Sequence, residues 1–337
     1  MATGQDAAST ADACRYQHVN SFGGKILVIR GGAIGDFILT LPAIAALRQQ
    51  FPQAYLEVLG YPHIVQLAIA AGLVDRVRSI DARPLAAFFA RNGSLAEEMR
   101  DYFSEFDLIV SYLYDPDEIF RANLARCSPA QFIAGPHRPD EQNLLHATKV
   151  YLKPLERLAI FDVDPVPKLP LAATKRPAAS RTLLALHPGS GSEAKNWPEA
   201  KWAELLECMV NDTDYEFLLV GGEAEGARLQ RLSAALPPSR TRVAQSLPLP
   251  ELAMLLAQSN GFIGHDSGIS HLAAAVGLPV LLLWADSAQE IWQPRGENVV
   301  VLREPLGLSR LPVSMVLQNV ERLWSTGSGY EVARNQP

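Results

Sequence analysis

The sequence predicts an α/β protein made of two Rossmann-like domains facing a central cleft. Three observations carry this expectation. Each half of the chain alternates short apolar runs with longer helical patterns, as a parallel sheet with helices on both faces requires. Each half also holds a glycine-marked turn between an apolar run and a helix start, IRGGAIGDFILTLPAI in the first and GFIGHDSGISHLAAAVGLP in the second. A segment carrying Pro165, Pro167, Pro170 and Pro177 divides them, and it continues neither a helix nor a central strand.

The elements follow in order. In the first half, strands are expected over Lys25–Arg30, Tyr55–Leu59, Arg76–Ile80, Asp107–Leu113 and Gln131–Ala134. Helices are expected over Ile34–Gln50, His63–Ala71, Leu85–Phe103, Glu118–Arg126 and Glu141–Leu158. In the second half, Thr182–His187, Tyr215–Val220, Thr241–Ala244, Gly261–Gly264, Pro279–Trp284 and Val299–Leu302 read as strands. Helices are expected over Pro198–Asn211, Glu223–Leu236, Ser267–Gly277 and Pro312–Trp324. Trp202, Leu205, Leu206, Met209 and Val210 make the i, i+3, i+4, i+7, i+8 stripe of an amphipathic helix. The expected organisation is a tail over 1–22, one domain over 23–165, a linker over 166–181 and a second domain over 182–311. A closing helix over 312–325 and a tail over 326–337 complete it.

Composition bounds the function. The 337 residues are 48% hydrophobic and 20% charged, ordinary for a globular chain of two domains. A net charge of −6 argues against bulk nucleic-acid binding, which needs a basic face. Cys14, Cys127 and Cys208 are odd in number and widely spaced, and read as thiols of a reducing compartment. The N-terminus lacks a signal-peptide pattern, and no apolar run is long enough to span a membrane. The expected location is the cytoplasm, with peripheral contact at the inner membrane compatible with a lipid-linked acceptor.

Four motifs carry the chemistry. Gly31, Gly32, Gly35 and Asp36 mark the first turn. Glycines allow close backbone approach, but an acid repels a phosphate, so Asp36 suits a general base better than a phosphate cradle. A helix cap also accounts for Asp36. In HPGSGSEAKNWP, the Ser190 and Gly191 amides with Lys195 suit phosphate oxygens, although a solvated surface loop reads the same way. Trp197 in that motif reads as core. In GHDSGISH, a cap explains Asp266 or Ser267, but not His271 one turn into the helix. In VGGEAEGAR, Glu223 reads equally as an acceptor of ribose hydroxyls and as a helix-dipole partner. Asp115–Pro116–Asp117 and Asp162–Val163–Asp164 read as turns, and no cluster has metal-ligand spacing, so neither a metal nor a cofactor is expected. Arg138 and Lys149 lie in a segment that reads as a solvated loop or as a grip on an anionic acceptor.

Taken together, RGGAIGDFILTLPAI, HPGSGSEAKNWP and GHDSGISHLAAAVGLP resemble glycosyltransferase family 9, the ADP-heptose:lipopolysaccharide heptosyltransferases and their relatives. The resemblance spans residues 24 to 325. It implies a GT-B architecture, with the donor mainly on the C-terminal domain. It implies inverting, metal-independent transfer from a nucleotide-activated heptose to a lipopolysaccharide-type or other glycan. Carried over by motif, Asp36 is the base. Lys195, with Ser190 and Gly191, meets the donor phosphates, and Asp266, Ser267, Gly268 and His271 hold the donor sugar and diphosphate. Glu223 corresponds to a ribose-contacting acid, and the loop of Gly31 and Gly32 faces the acceptor, for which Arg138 is a further candidate by its charge alone. Gly31 and Gly32 stand where the lipopolysaccharide enzymes usually carry small hydroxyl residues, which bears on acceptor and sugar identity. A nucleotide-sugar epimerase of the same architecture, or a non-catalytic nucleotide-sugar binding protein, are the alternatives.

Overall fold

The structure is a computed structural model that describes residues 22–172 and 180–324. The expected tails, Cys14 and the middle of the proline-rich segment lie outside the described residues. The first half runs β1 (Lys25–Arg30), α1 (Ile34–Gln50), β2 (Tyr55–Gly60), α2 (Pro62–Ala70), β3 (Arg76–Ser79), α3 (Glu97–Ser104), β4 (Leu108–Ser111), α4 (Ile119–Ala125), β5 (Gln131–Ala134) and α5 (Ala147–Leu152). The second runs β6 (Leu183–Leu186), α6 (Glu199–Asp212), β7 (Glu216–Gly221), α7 (Gly226–Ala234), β8 (Thr241–Gln245), α8 (Leu249–Ala257), β9 (Gly261–His265), α9 (Gly268–Ala275), β10 (Val280–Trp284), α10 (Gln289–Trp292), β11 (Val299–Arg303) and α11 (Val313–Trp324).

Two all-parallel sheets result, ordered β3-β2-β1-β4-β5 and β11-β10-β9-β6-β7-β8. This is the expected pair of α/β domains. In each sheet the strand order reverses once, between β1 and β4 in the first and between β6 and β9 in the second. Crevices at such reversals, beyond the carboxyl ends of the strands, are where open α/β sheets bind ligands.

Strand alternation sorts the core into layers. Ile26 and Val28 point to the face covered by α1, α2 and α5, while Leu27 and Ile29 point to the face packed with Phe88, Phe103 and Phe120. In the second sheet Leu184 and Leu186 face Trp197, Trp202 and Leu205. Helix α1 is buried almost all round, from Phe37 to Leu47. Its sequence has no polar face because it lies between its own sheet and the other domain. α1 packs on α9, and α2 packs on α8. One continuous core therefore crosses from domain to domain.

Several expectations need correction. Leu85–Phe103 is not one helix: a 3₁₀ turn covers Arg83–Phe89 and the chain breaks before α3. Asn92 adopts φ 54° beside Gly93, an Asn-Gly turn signal that the helical periodicity concealed. The helix expected over Glu141–Leu158 starts only at Ala147, where the His146 side chain accepts from the Thr148 amide, and it passes into a 3₁₀ turn at Lys153. Helix α8 was not anticipated, although Pro250 sits in its first turn, where proline starts helices rather than breaking them. The segment at 162–172 is not free chain either: Leu169 is buried, and its amide donates to the Ala275 carbonyl at 2.8 Å. Among the described residues, no helix is long and apolar enough to cross a membrane, and Cys127 and Cys208 are free thiols.

Candidate functional site

The two strand-order reversals face each other. The loop after β1 leads into α1, the loop after β9 leads into α9, and the two helix N-termini abut. A Cβ on Gly268 would lie 2.7 Å from Ile34 Cβ and 3.1 Å from the Gly35 amide nitrogen, so only glycine fits there. Beside this contact opens a cleft of about 790 Å³ lined from both domains. Asp36, Gly35 and Arg138 come from the first domain, and Lys195, Asp266, Ser267, Gly268 and His271 from the second.

Asp36 occupies the first turn of α1, where its Oδ2 accepts from the Ala33 amide at 3.0 Å. Its Oδ1 lies 3.5 Å from Arg30 Nη2, and Arg30 is 3% exposed. Arg30 also donates to the Asp36 carbonyl (3.2 Å) and the His137 carbonyl (2.9 Å) and stacks over Tyr151 at 4.5 Å. This buried cation, closing an apolar strand just before Gly-Gly, is a site residue the sequence reading passed over. Its signal was there: a lone arginine at the end of a central strand requires partners.

In the second domain, Lys195 Nζ donates to Asp266 Oδ2 at 2.7 Å, and Ser287 Oγ donates to the same oxygen at 2.6 Å. Ser267 caps α9, its Oγ accepting from the Ser270 amide, and it lies 3.3 Å from His187 Nδ1. The free amides of α9 thereby open onto the cleft, with the positive end of the helix dipole. His265 is fully buried: its Nε2 accepts from the Trp197 amide at 2.9 Å, and its Nδ1 faces the Gly189 carbonyl at 3.2 Å. It stitches β9 to the loop that carries Lys195, a structural role. Arg228 braces that loop again through the Pro188 carbonyl and Glu193.

His271 differs from His265. It is 6% exposed, lines the cleft, and its Nδ1 has no hydrogen-bond partner among the described residues. Burial holds His187 and His271 down to about 4 and His265 to about 3, so all three are neutral near pH 7. A buried nitrogen without a partner is rare in folded proteins, and His271 carries one beside the cleft.

The remaining sequence candidates are placed differently. Ser190 Oγ lies within bonding distance of the Ser192 carbonyl and Asn196 Oδ1, and Gly191 adopts φ 76°, so both shape the loop rather than line the cleft. Gly31 and Gly32 flank the cleft without lining it, and Gly32 requires its φ of 100°. Glu223 is exposed, whereas Glu225 is buried and accepts from the Gly222 amide at 2.9 Å. Asp115 accepts from the Phe120 and Arg121 amides, and Asp164 from the Val166 amide, as turn residues do. Among the described residues, no three His, Cys, Asp or Glu side chains converge in a metal-binding arrangement. Trp197 is wholly buried.

The loop at 137–146 closes one wall. Arg138 stacks over Trp292 at 5.3 Å, Trp292 Nε1 donates to Glu141 Oε1 at 3.3 Å, and His146 Nε2 donates to the Gln293 carbonyl at 2.9 Å. A second cavity of about 580 Å³ lies on the other side of the Gly35–Gly268 contact. It is more apolar, lined by Val220, Gly221, Gly222, Leu247, Leu249 and Ile269 among others.

Comparison with known proteins agrees with this arrangement. The model of glycosyltransferase family 9 (heptosyltransferase) matches residues 162–311. Lipopolysaccharide heptosyltransferase 3 of Escherichia coli is 22% identical, over 86% of this chain and 96% of its own. The corresponding protein of strain K12 is 24% identical, over 79% and 84%. A glycosyl transferase of family 9 from Veillonella parvula superposes with a TM-score of 0.71 at 20% identity, over 89% of this chain and 97% of its own. An E. coli heptosyltransferase solved with ADP superposes with a TM-score of 0.70 at 20% identity, over 89% and 100%. The same enzyme was also solved with ADP-2-deoxy-2-fluoro heptose. At these identities the solved structures establish the shared fold.

Proposed function

This chain belongs with the heptosyltransferase-like glycosyltransferases of family 9, and we propose that it moves a heptose-type sugar from a nucleotide-linked donor to a lipopolysaccharide-type glycan, with inversion and without a metal. The observation that carries the reading is that Asp36 of the first domain and Lys195 with the start of α9 of the second line one cleft. The donor diphosphate lies against Lys195 and the Ser267–Gly268 amides, where an anion is favoured. The nucleotide base enters the apolar cavity beside Gly221 and Gly222. Glu225, rather than the exposed Glu223, stands nearest to the role of the ribose acid, since it closes the turn after β7. Asp266, held by Lys195 and Ser287, and His271 face the donor sugar.

Asp36 takes the proton from the acceptor hydroxyl as that oxygen attacks the anomeric carbon. The bond from that carbon to the diphosphate oxygen breaks on the opposite face. Lys195 and the α9 amides meet the charge that develops on the leaving group, which is the contribution a metal would otherwise make. One displacement inverts the anomeric centre, and no covalent intermediate forms. The Arg138–Trp292 wall excludes water that would hydrolyse the donor. An epimerase would need no acceptor, and a binding protein would show no turnover.

The test incubates the protein with ADP-heptose and truncated lipopolysaccharide cores, with and without EDTA, and reads the product anomer by NMR. Transfer with inversion that survives chelation is expected. Retention of configuration would remove Asp36 from the base role, and activity lost to EDTA and restored by Mg²⁺ would refute the metal-free mechanism. Conversion of donor without acceptor would instead favour the epimerase.

A further inference from the structure

We propose that the Tyr114–His137 ring pair is a sugar platform, on which a pyranose ring of the acceptor stacks beside the sugar whose hydroxyl meets Asp36. The proposal rests on the transferase reading and deepens it. Tyr114 lies just beyond the end of β4, and His137 just beyond β5. With β1, these strands form the reversal crevice of the first domain, so both rings sit at the same sheet edge as the Gly31–Asp36 turn.

The two rings pack at a tilt, with centroids 4.5 Å apart and planes at 57°. Tyr114 is 68% exposed and so leaves ring surface open to a ligand, whereas Tyr112 and Tyr151 are buried. A pyranose ring presents C–H bonds from one face and hydroxyls from its rim. Its C–H face matches the negative face of an aromatic ring, and a tyrosine keeps its hydroxyl for the rim. Burial and the neighbouring Arg138 and Arg30 lower the pKa of His137, with Asp36 opposing, which keeps its ring uncharged at neutral pH.

The platform and the base share an anchor. The His137 carbonyl accepts from Arg30 Nη1 at 2.9 Å and lies 3.4 Å from Tyr151 Oη. The other arm of the same guanidinium holds Asp36 by its carbonyl and carboxylate. The backbone that carries His137 is therefore tied to the carboxylate through one guanidinium, which suits a two-point hold on one acceptor.

The experiment measures saturation-transfer NMR and calorimetric binding of core oligosaccharide released from E. coli lipopolysaccharide, with ADP present. It compares the full-length protein with Tyr114→Ala and Tyr114→Phe, taking ADP affinity and melting temperature in each. Tyr114→Ala should weaken oligosaccharide binding about three- to tenfold, the range of one aromatic contact, at unchanged ADP affinity. Tyr114→Phe should retain most of it. Equal binding by wild type and Tyr114→Ala overturns the platform, as does Tyr114→Phe binding as weakly as Tyr114→Ala. Loss of ADP affinity in step with oligosaccharide in Tyr114→Ala also overturns it, as general damage. A wild-type protein that binds no core oligosaccharide takes down the glycan-acceptor reading and the platform with it.

Discussion

Replacing Asp36 by asparagine separates the proposed base role from capping, because the carboxylate that lines the cleft also closes the first turn of α1. Oδ2 accepts from the Ala33 amide and Oδ1 faces Arg30 Nη2 at 3.5 Å. Asparagine keeps the amide-accepting oxygen, so the cap changes by only a few tenths of a kcal/mol. The second contact is lost, since an amide NH₂ cannot accept from the guanidinium. Removing one partner of a fully buried pair costs about 3–5 kcal/mol. Here Asp36 is 27% exposed and Arg30 keeps the Asp36, His137 and Tyr112 carbonyls, so about 1–2 kcal/mol is the expected cost. At roughly 2–4 °C per kcal/mol, melting should fall by only a few degrees. Such a loss leaves a protein of ordinary stability folded. Losing a general base costs about 10²–10⁴ in rate. The assay follows transfer rate and ADP affinity of both proteins at a temperature well below either melting point. A rate collapse at unchanged ADP affinity is expected. Full activity in Asp36→Asn would refute the base, and inactivation that tracks the unfolded fraction and recovers on cooling would reduce Asp36 to a cap.

Lys195→Ala should weaken ADP affinity and slow transfer together, about ten- to a hundredfold, as loss of a charge-assisted bond does. Unchanged titration calorimetry and rate would leave Lys195 as no more than a partner of Asp266. Gly32→Ala should lower the melting temperature by several degrees, because a side chain at φ 100° costs about 1–2 kcal/mol and its Cβ would approach Asp36 Oδ2 to 2.8 Å. Gly31→Ala, which meets open space at negative φ, should leave melting unchanged; equal effects at the two glycines would contradict the backbone account. Stability should fall as pH drops from about 6.5 toward 4. His146, His187 and His271 are held down to about 4, and His265 to about 3, so over that window the unfolded chain binds protons that the native state refuses. Urea midpoints across pH 4–7 check this, and a flat profile would mean that these rings are not buried neutral.

The fold class and the positions of the glycine-marked turns were written in the sequence. Strand–helix alternation repeats in both halves, and apolar strands bounded by glycine turns leave few topologies, so two parallel sheets were legible. The turns that bring Asp36 and Asp266–His271 to the cleft were legible as well, because a helix start after a central strand announces itself locally in its glycines and capping residues. What the sequence could not hold was anything set by distance across the chain. Arg30 reads as one charge at a strand end, and only packing shows that its two arms join Asp36 to the loop at His137. His265 and His271 are alike as letters, yet Trp197 and Gly189 occupy the first, while Nδ1 of the second has no partner among the described residues. Glu223 and Glu225 lie two residues apart, and the turn after β7 buries one and exposes the other. The Trp292 wall and the Tyr114–His137 ring contact join segments that share no local pattern. Periodicity and turn chemistry act over a few residues and are written in composition, whereas burial and long-range hydrogen bonding depend on which surfaces meet, and that is fixed only when the two sheets pack through α1 and α9.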